Sequence, residues 1–215
     1  MDSTFVVGID VGGQTSKIGV VNARGTVLAQ TVIRTDTYDT VKPYIAELAE
    51  AVKKVIAESG TEGKIRGIGV GAPNGNYYTG TIEAAPNLAW GHNRVEFAKL
   101  LSEAMGGLPV ALTNDANAAA VGEMTYGAAR GMKNFIMITL GTGVGSGIVI
   151  NGEVVYGHDG FAGELGHTTA VRNNGRSCGC GRSGCLEAYC SAMGVARTAR
   201  EWLELTDEPS LLRNL

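Results

Sequence analysis

All four cysteines of the chain and one of its three histidines fall between residues 163 and 191, in GELGHTTAVRNNGRSCGCGRSGCLEAYCS. Cys178-x-Cys180-x4-Cys185, with His167 eleven residues upstream, has the short-range spacing of a structural zinc site. The surrounding glycines supply the tight turns that let thiolates converge on one ion. Two tetrahedral ligand sets can be drawn: His167 with Cys178, Cys180 and Cys185, or the four cysteines alone. The first is favoured, because Cys190 follows LEAY at the start of what reads as a helix and would point away from a loop-built site. Paired disulfides are the competing reading. Residues 1–10 read as a strand without a cationic leader, so a reducing, cytoplasmic compartment is expected and disulfides are disfavoured.

Acids flank this loop. Glu164-x-x-His167 sets a carboxylate one turn from a ligand whose second ring nitrogen needs an acceptor, and Glu187 follows Cys185-Leu186 directly. A metal that fixes the loop also fixes two carboxylates and an imidazole, which is hydrogen-bonding hardware for a hydroxyl-rich ligand. Arg172, Arg176 and Arg182 beside it read better as neutralising a thiolate-rich site than as a phosphate cluster.

Elsewhere the 215 residues alternate between strand and helix signals. Thr4–Asp10, Lys17–Asn22 and Val27–Ile33 read as three antiparallel strands separated by glycine turns. Val41, Ile45, Leu48, Val52, Val55 and Ile56 recur at helical spacing within a helix over Thr40–Ser59. A strand over Lys64–Ala72, an irregular Tyr77–Trp90, a helix over Arg94–Met105, a strand over Pro109–Asn114 and a helix over Ala116–Tyr126 complete one α/β domain. Strand, glycine turn and strand then return at Phe135–Ile150, which suggests two related halves: domains over 1–118 and 119–215. A net charge of −3 without a basic run argues against nucleic acid as a partner, and no apolar run is long enough to span a bilayer.

Three further features carry chemistry. Asp10-Val11-Gly12-Gly13-Gln14-Thr15 sets an acid beside the amides of a glycine turn, which suits a Mg²⁺-bound phosphate. Leu140–Gly147, with Gly141-Thr142-Gly143 at its centre, is a second such turn. Neither is a P-loop or a dinucleotide fingerprint, since the glycines lead into strands. Asn114-Asp115 ends a strand at the mouth of a helix, so Asp115 is either the helix N-cap or a general base at the carboxyl edge where α/β ligands bind.

DVGGQTSKIGVV, GAPNG, TNDANAAAVGE, LGTGVGSGIV and GELGH…CGCGRSGCLEAYCS together resemble the ROK family of sugar kinases and repressors, in the right order over nearly the whole chain. The resemblance implies an actin-like, ribonuclease-H-like ATPase fold with two α/β domains around a cleft, the second incomplete. It implies Asp115 as catalytic base and Asn114, Asp115, Glu164, His167 and Glu187 as substrate-binding residues, with Gly71 and Asn87 as weaker candidates. Asp10, Gly12, Gly13, Gln14 and Thr15, with Gly141, Thr142 and Gly143, would face ATP and Mg²⁺. His167, Cys178, Cys180 and Cys185 would hold the zinc. The sequence departs from the family pattern at Gln14, where Thr is usual, and at Asn74, where Gly usually follows the proline.

The expectation is an ATP-dependent hexose kinase acting on the 6-hydroxyl of glucose, compatible with a homodimer. Family members continue well past the zinc segment, so the chain is expected to be a fragment lacking much of its nucleotide pocket and showing little activity alone. A ROK transcriptional regulator and a non-catalytic sugar-binding protein are the alternatives. A regulator would carry a DNA-reading domain ahead of the sugar domain, whereas this chain enters its first strand at Thr4.

Overall fold

The computed structural model describes residues 4–214. Strands β1 (Phe5–Val11), β2 (Thr15–Asn22) and β3 (Val27–Arg34) form an antiparallel meander. Strand periodicity explains it: Val7, Ile9 and Val11 on β1, and Ile18 and Val20 on β2, turn inward while their neighbours turn out. Helix α1 (Val41–Glu58) lays Tyr44, Ile45, Leu48, Val52 and Val55 into the same core. The chain then returns as β4 (Ile65–Ala72), parallel to β1, and after α2 (Phe97–Ala104) as β7 (Val110–Asn114), parallel to β4. Between β4 and α2 lie the two-residue strands β5 (Gly75–Asn76) and β6 (Thr81–Ile82). The main sheet has the order β3–β2–β1–β4–β7, and α3 (Asp115–Tyr126) leaves directly from its last strand.

Two local readings change. Within the stretch expected to be irregular, β6 pairs back onto β5 just ahead of it, with Gly75 opposite Ile82 and Asn76 opposite Thr81. Helix α2 starts at Phe97 rather than Arg94, because Val95 is taken by a backbone bridge: its N–H donates to Ile82 O (2.9 Å) and Ile82 N–H donates back (3.0 Å). A residue locked into such a bridge cannot supply the first helical turn.

Strands β8 (Phe135–Leu140), β9 (Val144–Ile150) and β10 (Glu153–Val154) form a second sheet in the order β10–β9–β8. A 3₁₀ turn covers Leu165–His167, followed by the cysteine-rich segment, the short helix α4 (Glu187–Cys190) and α5 (Ala192–Leu205). By internal contacts the chain divides into two compact units. One comprises the chain through Phe135 together with Gly147–Ala162; the other comprises Ile136–Ser146 and the chain from Gly163. Among the described residues no helix is long and apolar enough to cross a membrane.

Candidate functional site

In the first unit, parallel register decides what meets what. Asp10 pairs with Gly71 and Ala72 with Asn114, so the carboxyl ends of β1, β4 and β7 share one edge of the sheet. That edge is where α/β sheets bind ligands. The first glycine turn lies there, closed by Gly12 N–H to Thr15 O at 3.0 Å. A side chain at Gly13 would meet Asn87 O at 2.9 Å, so the loop carrying Asn87 packs directly on the turn. Behind it, the buried Ser16 hydroxyl bonds Thr35 Oγ1 and the Tyr44 phenol, each at 2.7 Å, and Gln14 O accepts from Thr35 N–H at 2.9 Å. The Asn74 departure also has a local account. Its φ of 51° is left-handed, a conformation asparagine tolerates, and its amide donates to Glu83 O and Ala84 O at 3.0 Å each.

Asn114 is the N-cap of α3, not Asp115: its Oδ1 accepts from Ala116 N–H at 2.8 Å, and Asp115 is the first helical residue. Asp115 Oδ1 shares the same N–H at 2.8 Å. Its carboxyl is held above the ordinary carboxylate value of 3.8. Desolvation by the surrounding atoms is the main cause, and the negative charge of Asp10 adds to it against the opposing Ala116 amide. Asp115 as a residue still reaches solvent. A carboxylate at a strand end, raised in basicity and fixed by one oxygen, is equipped to take a proton from a hydroxyl.

The second unit gathers the cysteine loop. Leu186 N–H donates to Thr168 O (2.9 Å), and Ala170 and Val171 N–H both donate to Gly184 O (2.8 and 3.0 Å), which folds the His167 segment back onto Cys185. Gly184 is required here: its φ is 81°, and a Cβ would fall 1.8 Å from Val171 O. The hairpin tip closes through Cys178 N–H to Arg182 O (2.8 Å) and Gly181 N–H to Cys178 O (3.1 Å).

The ligand atoms of His167, Cys178, Cys180 and Cys185 all lie within 4.8 Å of one another. Metal–sulfur bonds of about 2.3 Å and metal–nitrogen bonds of about 2.0 Å place tetrahedral S–S edges near 3.8 Å and S–N edges near 3.5 Å. The observed Cys180–Cys185 sulfur separation is 3.7 Å, and Cys178 Sγ lies 3.6 Å from His167 Nδ1. The donor set therefore fits a structural zinc of the Cys₃His kind. The cluster does not include Cys190, which sits on α4. The Arg182 backbone and guanidinium lower the exposed Cys180 thiol to about 6, whereas desolvation pushes Cys178 up to about 11.

The arginines divide their work. Arg182 serves the loop, also donating to His167 O at 2.8 Å. Arg176 does not: it stacks over Tyr189 at 4.7 Å and reaches Ala188 O (3.1 Å), Gly194 O (3.2 Å), Thr198 Oγ1 (2.9 Å) and the Glu201 carboxylate, stapling the loop to α4 and α5. Glu164 precedes the 3₁₀ turn, with its carbonyl accepting from His167 N–H at 3.1 Å. Glu187 Oε2 accepts from Val144 N–H at 2.9 Å, beside the second glycine turn of Gly141, Thr142 and Gly143. Two serines went unread in the sequence. Ser146 Oγ joins Gly163 O to Leu165 N–H, and Ser191 caps α5 through Gly194 N–H at 3.1 Å. The second was legible, since serine immediately before a helical run is a cap signal.

A mixed α/β chain with parallel crossover strands, two strand–glycine turn–strand elements and an acid at the sheet's carboxyl edge defines an actin-like ATPase fold. The ROK family profile matches residues 6–214, and the chain belongs to that family. It is 41% identical over 203 residues to the glucokinase of Halalkalibacterium halodurans, covering 94% of this chain and 61% of that one. It superimposes on the ROK glucokinase of Streptomyces griseus in complex with glucose and AMPPNP with a TM-score of 0.75 at 34% identity, covering 94% of this chain and 62% of the other. A ROK transcriptional regulator homologous to the E. coli MLC protein gives a TM-score of 0.85 at 25% identity, covering 99% and 53%. The chain thus spans about three fifths of the length of its glucokinase relatives.

Proposed function

We propose that the chain belongs to an ATP-dependent sugar kinase that phosphorylates a hexose, glucose at its 6-hydroxyl, with Asp115 as general base. The observation that carries this is the Asp115 carboxyl, raised in basicity at the carboxyl edge beside Asp10. The S. griseus neighbour bound to glucose and AMPPNP supports it. Phosphoryl transfer asks for positioning and charge stabilisation more than covalent chemistry. Asp115 takes the hydroxyl proton as the acceptor oxygen attacks. Asn114, Glu164, His167 and Glu187 bind other sugar hydroxyls. Asp10, Gly12, Gly13, Gln14 and Thr15, with Gly141, Thr142 and Gly143, receive the donor phosphates and Mg²⁺. Zinc on His167, Cys178, Cys180 and Cys185 is structural, since four protein ligands leave no open position for substrate.

The test combines titration of the chain with a hexose panel and a coupled ATP assay of the whole protein. Glucose should bind saturably, Asp115→Asn should keep that binding, and turnover should fall about 10²- to 10⁴-fold. Near-normal turnover in the variant rejects the base. A second reading, a sugar-responsive regulator, is favoured by the close fit of the ROK regulator over 99% of the chain. Saturable hexose binding with no phosphoryl transfer by the whole protein at any ATP concentration would favour it.

A further inference from the structure

Glu187 grips the second glycine turn. Its Oε2 accepts from Val144 N–H at 2.9 Å, and its Oε1 lies 3.7 Å from Cys178 Sγ. The approach is close enough to dictate a neighbour: a Cβ on Gly143 would fall 2.5 Å from Oε2. The other end of the turn is held as well, because Ala192 N–H donates to Gly141 O at 2.8 Å and Gly141 N–H closes on Gly143 O at 3.0 Å. Both grips come from the segment that follows the cysteine loop, with α4 beginning two residues after Cys185. A cavity of about 320 Å³ is lined jointly by Thr142 of the turn, Cys178 and Gly179 of the loop, and Glu187.

We infer that Glu187 is a positioning residue that couples the cysteine loop to the glycine turn. When His167 and the three cysteines are gathered on a metal, α4 starts where its first carboxylate reaches Val144 N–H. The turn is then fixed with Thr142 and its amides presented to an incoming phosphate. A carboxylate suits the task because an ion–amide hydrogen bond is about twice as strong as a neutral one. The inference deepens the kinase reading, since the turn it holds is the one assigned there to donor phosphates. It gives the metal a consequence beyond fastening its own loop.

Amide hydrogen exchange of the zinc-loaded 215-residue chain tests this without substrate or turnover. The buried Val144 amide should exchange at least about tenfold faster in Glu187→Ala. Glu187→Gln, which keeps an oxygen acceptor, should fall between. Chelating the metal from the unaltered chain should release the same amide, while core β1 amides such as Ile9 stay protected. Should Glu187→Ala shed its metal, the metal-retaining Glu187→Gln decides in the same sense. Unchanged Val144 exchange in the variants, or after chelation, overturns the coupling. Absence of any hexose binding alongside Glu187-dependent protection would instead sink the kinase reading and leave the coupling in place.

Discussion

Gly166→Ala isolates the contact that sets His167. Gly166 is buried in the 3₁₀ turn, and a Cβ there would stand 2.3 Å from Val144 O, 2.9 Å from Val144 Cβ and 3.2 Å from Val144 C. Van der Waals contact needs roughly 1 Å more than the shortest of these. The obstacle is strand backbone, which cannot rotate away as a side-chain tip does, so the turn itself must move. Overpacking of this kind costs about 1–3 kcal/mol. The displaced residue is the immediate neighbour of His167, whose Nδ1 must hold its place in a cluster 4.8 Å across. Metal sites tolerate ligand displacements of only about 0.2 Å, and disturbing a ligand's support typically lowers metal affinity about 10- to 100-fold. Competition against a chromophoric chelator should therefore show zinc bound at least about tenfold more weakly than by the unaltered chain. Gly141→Ala is the internal control: a Cβ there meets nothing within 4 Å, so zinc affinity should stay within about threefold. Equal zinc affinity in Gly166→Ala and the unaltered chain would refute the claim that Val144 backbone sets the histidine.

Asp115→Asn should stabilise the chain near neutral pH. The folded carboxyl sits above its ordinary 3.8, so its favourable contribution is complete below that value and is lost as pH rises through the raised one. Urea melts should show the variant's advantage shrinking towards acid pH; a constant or reversed difference would contradict the assigned shift. Tyr44→Phe removes a phenol that burial pushes up to about 12 and that bonds the Ser16 hydroxyl behind the first glycine turn. Ser16 keeps Thr35, so the cost should be about 1 kcal/mol, lowering Tm by about 2–4 °C. A loss several times larger would mean that the network carries the turn as a unit.

What could be read from the sequence was what periodicity or short spacing encodes. Alternation exposed the β1–β2–β3 meander, and 3–4 residue spacing exposed α1, because each buries its own apolar face. The Cys₃His grouping was legible because three of its ligands sit within eight residues. What escaped depends on distant backbone. The start of α2 is set by a bridge from Val95 to Ile82, and the segment Gly147–Ala162 returns to the first unit by topology alone. Glu187 could be seen as an acid beside a ligand, but its partner Val144 lies 43 residues away and offers a backbone amide, which no residue type announces.

The pair Asn114–Asp115 shows why the ambiguity between cap and base was real and to which residue the fold gives the cap. Both residues are good helix caps, and a lone carboxylate at that position would settle into the orphan amides of the first turn, lowering its basicity through the helix dipole. Here Asn114 occupies the cap with a neutral amide, and Asp115 shares the Ala116 N–H through one oxygen. The helix terminus therefore lowers the Asp115 carboxyl less than desolvation and Asp10 raise it. Two adjacent polar residues at one strand end thus take different roles. The uncharged one satisfies the helix, which leaves the charged one anchored by a single oxygen and raised in basicity.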